Sequence, residues 1–267
     1  MAYTTNLIRN VALAGHGSTG KTSLLEHLLF SAGAIQKPEL VESGETVSDY
    51  TEEEIERKIS VHASLSHALV NDTKINFIDT PGSSDFIGDV ILALRACESA
   101  VVMIDSRTGV QIETIKIWRN LDSRGKPRMV FANKLDEDRA TFGHALNDVK
   151  EKFKLAPVAV TIPMGEGTAF KGVIDVLNQK AYPVPAAHDQ KEVAGPVPAE
   201  FADALAEARA ALSEAAADGD DELMEKYLSE GELSQDEIVR GLGEAIAGNR
   251  VVPAFAGSAV RNSGTRA

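Results

Sequence analysis

Residues Gly15-His16-Gly17-Ser18-Thr19-Gly20-Lys21-Thr22 place glycines, a lysine and a hydroxyl at the spacing G-x4-G-K-[S/T]. Glycines at these positions let backbone N–H groups wrap a chain of phosphates, and a helix opening at Lys21 adds positive potential. In such a loop Lys21 reaches the β- and γ-phosphates and the Thr22 hydroxyl ligates Mg²⁺. The nucleotide-binding run extends to Ser23.

A second stretch, Asp79-Thr80-Pro81-Gly82, pairs a carboxylate that reaches Mg²⁺ through water with a glycine N–H for the γ-phosphate. Losing that last bond on hydrolysis would release the residues that follow, an order–disorder switch. Upstream lies the charged stretch "SDYTEEEIERKISVHAS", in which Ser60 is the candidate to close over Mg²⁺ and the γ-phosphate. An ordinary solvated loop is the alternative there.

The base is named by Asn133-Lys134-Leu135-Asp136. The Asp136 carboxylate accepts from both N1–H and the exocyclic amine of guanine. Adenine offers no donors there and would leave a buried carboxylate unpaired, at a cost of roughly 1–3 kcal/mol or more. Asn133 would brace the surrounding loops, and the Lys134 stem would cover the base. Gly257-Ser258-Ala259 would bring a backbone N–H to the guanine O6. The ligands expected are therefore GTP or GDP with Mg²⁺. The histidines beyond His16 show no metal-ligand spacing.

These motifs need a frame that delivers each to one edge. "IRNVALAG" and "KINFID" read as β-rich runs, and "SAVVMID" and "PRMVFAN" as strands buried on both faces of a parallel sheet. Between them "KTSLLEHLLFSAG" and "VQIETIKIWRNLDSRG" read as helices closed by Gly33 and Gly125. From Val61 to Val70 the alternation puts Val61, Ala63, Leu65 and Leu69 on one face of an edge or half-covered strand. The fold class expected is α/β, a P-loop NTPase with a doubly wound, mostly parallel sheet and an inserted α+β subdomain. Residues 1–155 and 250–267 form the nucleotide-binding domain. Residues 156–249 form the insert, in which "VAVTIPMG", "FKGVIDVL" and "KAYPVP" read as short strands. A proline-spaced linker then leads to helices with Phe201, Leu205, Ala208 and Leu212 in step and a Ser234–Glu237 capping box.

The net charge of −13 is concentrated. Residues 186–247 hold 16 Asp/Glu against 4 Lys/Arg, leaving 24 acids and 23 bases elsewhere. An acidic segment on a neutral body excludes a broad nucleic-acid groove and so a DNA partner. It is a solvated helical face or a docking surface for a basic partner. The lone Cys97 suits a reducing compartment, and no apolar stretch reaches the ~20 residues that span a bilayer. The expectation is a cytoplasmic monomer without a membrane partner.

Taken together the motifs resemble the translational GTPases, and most closely elongation factor G. "DYTEEEIERKISV" is similar to that family's first switch, D-x4-E-x2-R-G-I-T-I; "AVVMIDSRTGVQIETIKIWR" is similar to its strand and helix after the second switch; and "GEGTAFKGVIDVLNQKAY" resembles the opening of its inserted G′ subdomain. The resemblance implies a GTPase whose partner is the ribosome, with the acidic insert facing the ribosomal stalk region and further domains following "NSGTRA". The candidate catalytic residues are Lys21, Gly82 and Ser83.

Four positions depart from the family: Ser83 stands for a usual His, Ser18 for Asp, Ser60 for Thr and Lys58 for Gly. Serine cannot supply an imidazole to orient water, so slow hydrolysis is expected, aided by ribosomal RNA or by Ser83 and Ser84. This divergent set resembles a second type of elongation factor G. Its tasks could be translocation, ribosome protection or release-factor recycling. A nucleotide-gated ribosome binder with little turnover is the rival reading.

Overall fold

A computed structural model describes residues 3–266 of the chain. In chain order its elements are β1 (Ile8–Gly15), α1 (Lys21–Ser31), α2 (Glu52–Arg57), β2 (Ser64–Val70), β3 (Thr73–Asp79), α3 (Ile87–Ala96), β4 (Ser99–Asp105), α4 (Ile112–Asp122), β5 (Arg128–Asn133) and α5 (Phe142–Phe153). There follow β6 (Pro157–Ala159), β7 (Thr161–Pro163), β8 (Gly172–Asp175), β9 (Lys180–Pro183), α6 (Ala202–Ala217), α7 (Asp221–Glu230), α8 (Gln235–Ala247) and β10 (Val252–Ala256).

Seven strands form one sheet in the order β2-β3-β1-β4-β5-β10-β6. All pairings are parallel except β2 with β3. Alternation along each strand divides the core in two. Ala12 and Ala14, with Val102, Ile104, Val130 and Ala132, meet α3, α4 and α5 through Leu94, Trp118, Leu121 and Val149. Leu13, Val101, Met103 and Phe131 face Leu24, Leu25 and Leu29 of α1. Strands covered on both faces read as continuous apolar runs because both side-chain sets are buried. Their C-terminal ends, Gly15, Asp79, Asp105, Asn133 and Ala256, all point to the one edge where ligands bind in such sheets.

Two expectations need correction. In β2 the covered residue is Ala68, packed on the α1 side with Phe77, whereas Leu65 and Leu69 are 72% and 50% exposed. The apolar alternation is real, but an edge strand hides only one face and the smaller residue takes it. The run "VAVTIPMG" is also not one strand. It breaks at Val160, with Pro157–Ala159 joining the main sheet beside β10 and Thr161–Pro163 opening the antiparallel sheet β7-β8-β9. The main sheet thus runs past the boundary expected at residue 155. Short apolar segments carry no signal for which sheet will take them.

The acidic half of the insert packs α6, α7 and α8 around Leu212, Leu223, Ile238 and Leu242. Each junction has its local cause. Asp220 caps α7 by accepting N–H bonds from Glu222 and Leu223, and Ser234 with Glu237 closes a capping box on α8. The α6 and α8 backbones approach so closely at Gly241 that a Cβ there would lie 2.2 Å from the Ala216 carbonyl oxygen. Gly243, half a turn further along α8, has open space instead, with nothing within 4 Å of a Cβ. Gly241→Ala should therefore lower insert stability by about 1–3 kcal/mol through overpacking. Gly243→Ala should raise it by about 0.5–1 kcal/mol. Denaturant melts of the two variants check both signs.

Candidate nucleotide site

The phosphate loop turns from β1 into α1 through Ser18 (φ +60°) and Gly20 (φ +92°). A Cβ at Gly20 would fall 2.3 Å from Asn133 Nδ2, so conformation and space both demand glycine. Thr19 Oγ1 donates to the His16 carbonyl at 2.9 Å. Lys21 is buried and its Nζ donates to the carbonyls of Gly15 and His16 at 3.2 and 3.0 Å. Burial lowers its pKa to about 8, against the opposing pull of Asp79 and Asp49. Ser23 is half-buried in the first turn of α1.

Gly82 lies against this loop. A Cβ on it would stand 2.6 Å from both Gly17 Cα and Lys21 Nζ, so any side chain would enter the space between ammonium and loop. Ser83 follows as the N-cap of a 3₁₀ turn over Ser84–Phe86, its Oγ accepting the Asp85 N–H at 3.4 Å. The Ser83 hydroxyl thus opens a turn beside the phosphate loop.

Hydroxyls and carboxylates gather at the start of α1. Thr22 Oγ1 donates to Asp79 at 2.8 Å and lies 3.2 Å from Ser60 Oγ, which donates to Asp49 Oδ1 at 2.8 Å. Asp79 Oδ1 and Ser48 Oγ are buried without hydrogen-bond partners among the described residues. Burial raises the Asp79 pKa to about 6, with Lys21 and Thr22 opposing and Asp49 adding to the rise. Asp49 is likewise raised, chiefly by burial. Among the described residues no group of three or more His, Cys, Asp or Glu forms a metal cluster. This set of hard oxygens, two hydroxyls between two buried carboxylates with one oxygen unpaired, is the donor chemistry that suits a small divalent cation.

Three positioning carboxylates had not been singled out from the sequence. Asp49 is one. Glu54 is buried and accepts from the N–H groups of Tyr50, Thr51, Val61 and His62 and from Thr51 Oγ1, at 2.9–3.2 Å, closing both ends of the segment that carries Ser60. Their signal lay in "DYTEEEIER", where a fixed Asp and Glu flank the switch. Glu113 of α4, buried at the rim, contacts His16 Nδ1 and has no such signal. Lys58, where the resembled family usually has Gly, ends α2 in a left-handed conformation at φ +55°.

At the base end Asn133 is 1% exposed and joins two loops. Its Nδ2 donates to the Thr19 carbonyl at 2.7 Å, and its Oδ1 accepts the Ala259 N–H at 2.8 Å. Lys134 (φ +64°) sets its ammonium 3.2 Å from Asp105 Oδ2. Burial alone would raise the Asp105 pKa, but Arg107 and Lys134 hold it at about 2. Asp136 is half-buried, and its carboxylate takes no hydrogen bond among the described residues. The N–H groups of Gly257, Ser258 and Ala259 already donate to Ala132, Ser263 and Asn133 Oδ1. An O6 contact from this loop would therefore share an N–H that already has a partner.

A cavity of about 740 Å³ lies elsewhere, between α6 and the β6–β7 edge, lined by Ala208, Ala211, Pro157 and Ile162. Glu207, Glu214 and Asp218 also line it, and it lies apart from the nucleotide loops.

A phosphate loop at the end of β1 and an Asn-Lys-x-Asp loop at the end of β5, with β4 between them, define the class: a P-loop domain that binds guanine nucleotides. Residues 6–267 match the family model of the elongation factor Tu GTP-binding domain, and the chain belongs to that family. It is also similar to a crystal structure of a protein from Thermus thermophilus, at 32% identity and a TM-score of 0.88 over 97% of this chain. The match spans 38% of that protein's length. No helix among the described residues is long and apolar enough to cross a membrane.

The Glu54 staple yields a test. Burial pushes its pKa up, and the N–H groups of His62, Val61 and Thr51 more than offset this, leaving it below the usual range. Its contribution is therefore fully present above the unfolded value of ~4.3 and lost as pH falls below it. Glu54→Ala should speed tryptic cleavage at the exposed Arg57 and Lys58 by about tenfold or more, ~1.4 kcal/mol of local stability. Lowering the pH should loosen the wild-type segment in the same direction, followed by amide exchange at Val61 and His62.

Proposed function

We propose that this chain is the GTP-binding and GTP-hydrolysing region of an elongation factor G-like translation factor of a divergent, second type. The observation that carries the proposal is the meeting of Thr22 and Ser60, 38 residues apart in sequence, between Asp49 and Asp79. That arrangement belongs to a switch held shut over a metal-bound triphosphate. Thr22, Ser60 and Asp79 would hold Mg²⁺, which would supply charge neutralisation for the phosphates. Lys21 binds the same oxygens, and the Gly82 N–H senses the γ-phosphate. Asp136 selects guanine, with Asn133 fixing the loops around it.

Ser83 sets the rate in this reading. A hydroxyl engaged in capping a turn is a poor substitute for an imidazole, so hydrolysis by the factor alone is slow and an external group completes the site. The partner is the ribosome, in the cytoplasm, with the acidic helices of the insert meeting a basic surface in the stalk region. The factor acts as a monomer and has no DNA partner.

Two measurements test this. Asp136→Asn should shift preference from GDP towards xanthosine diphosphate by about 10–100-fold, the ~1–3 kcal/mol of one buried donor–acceptor mismatch. An unchanged preference overturns the base assignment. In single-turnover assays of the complete factor, ribosomes should accelerate GTP cleavage, and Ser83→His should raise the rate without ribosomes. Absence of stimulation would instead favour a nucleotide-gated binder, the reading that the capped Ser83 supports.

A further inference from the structure

The loop that ends β10 does not hold its shape alone. Ser258 and Ser263 exchange two backbone hydrogen bonds at 3.0 Å, and the Asn262 N–H donates to the Ala259 carbonyl at 3.1 Å. The second half of this loop is gripped by the linker that leads into the acidic helices. Glu192 of that linker is 1% exposed, and its carboxylate accepts the N–H groups of Gly264, Thr265 and Arg266 at 2.9–3.1 Å. Arg266 Nη1 returns a bond to the Glu192 carbonyl, and Asn262 Nδ2 donates to the Gln190 carbonyl at 2.8 Å. On the other side Lys191 sits over the Phe30 ring of α1, 5.4 Å from its centroid.

A buried carboxylate is costly to keep unless its acceptors are filled. Here three successive N–H groups fill them, which ties the loop conformation to the presence of this one side chain. The loop matters because Gly257–Ala259 would supply the donor to the guanine O6, and the Ala259 N–H within it is bonded to Asn133 Oδ1.

We infer that Glu192 is a positioning residue for the guanine end of the site, so that the insert is a working part of base recognition. The inference rests on the GTP-binding reading above. Without the carboxylate, residues 264–266 lose their anchor, the Ser258–Ser263 pair shifts and Gly257–Ala259 lose the placement that base recognition needs. The phosphate loop, held by Lys21 and Asn133, is untouched.

The experiment measures release of fluorescent GDP and ADP analogues from the protein carrying Glu192→Ala, Glu192→Gln or Asn262→Gly. The last removes the tether to Gln190 while tolerating the left-handed backbone at φ +51°. Glu192→Ala should speed GDP release at least tenfold and lower the GDP-over-ADP preference by a similar factor. Glu192→Gln, which keeps one acceptor, should fall between it and wild type. Single-turnover cleavage of GTP already bound should stay within twofold. If Glu192→Ala melts below the assay temperature, Asn262→Gly decides, with the same direction expected. Unchanged GDP release in the folded variants, or equal acceleration for GDP and ADP, overturns the inference. A wild-type protein that shows no preference for GDP over ADP would instead overturn the GTP-binding reading.

Discussion

The carboxamide of Asn133 is the joint on which the site depends. It is one buried group with a donor and an acceptor, and it spends each on a different loop: Nδ2 on the Thr19 carbonyl, Oδ1 on the Ala259 N–H. Neither loop could be left bare at that depth, because an unpaired buried backbone group costs about 1–3 kcal/mol. The same contact explains why Gly20 must lack a side chain. Asn133 thus braces the phosphate loop and the base loop through two separate bonds. β4 and β5 set its position, their ends matching Asp105 with Asn133 in register.

Charge at the other end is arranged for something not supplied by protein. Lys21 is buried with its ammonium satisfied only by carbonyl oxygens, and Asp49 and Asp79 are buried on the far side of Thr22. Burial drives lysine towards losing its proton and the aspartates towards gaining one. Each group thus bears a desolvation cost that nearby opposite charges only partly offset. An anion at Lys21 and a cation at the aspartates would relieve both at once.

Much of this was legible from residue order alone. Fully apolar strands such as "SAVVMID" announce burial on both faces, and glycine-rich or Asn-Lys-x-Asp loops at their ends announce ligands. What was not legible depends on contacts between distant segments. Nothing local says that Ala68 rather than Leu65 faces α1, or that "VAVTIPMG" divides between two sheets. Glu192 stood among many acids, and composition cannot separate a solvated glutamate from one that gathers backbone N–H groups. The Ser83 hydroxyl was visible as a departure, but its engagement in a turn cap follows only from the geometry of residues 83–86.

The segment over the site is held by side chains more than by ladders. Glu26 accepts the N–H groups of Glu39 and Val47, Glu54 accepts four from residues 50–62, and Asp49 accepts the Ser60 hydroxyl. Acceptor-only carboxylates in a partly buried setting make strong bonds while geometry is kept, and weak ones once water enters. A strand ladder would lose its bonds one at a time. A loop gathered on three carboxylates, one of them bonded to Ser60 beside Thr22, depends on a few side chains for its whole shape. Removing any one of them frees several backbone N–H groups or a hydroxyl at once, next to the left-handed turn at Lys58.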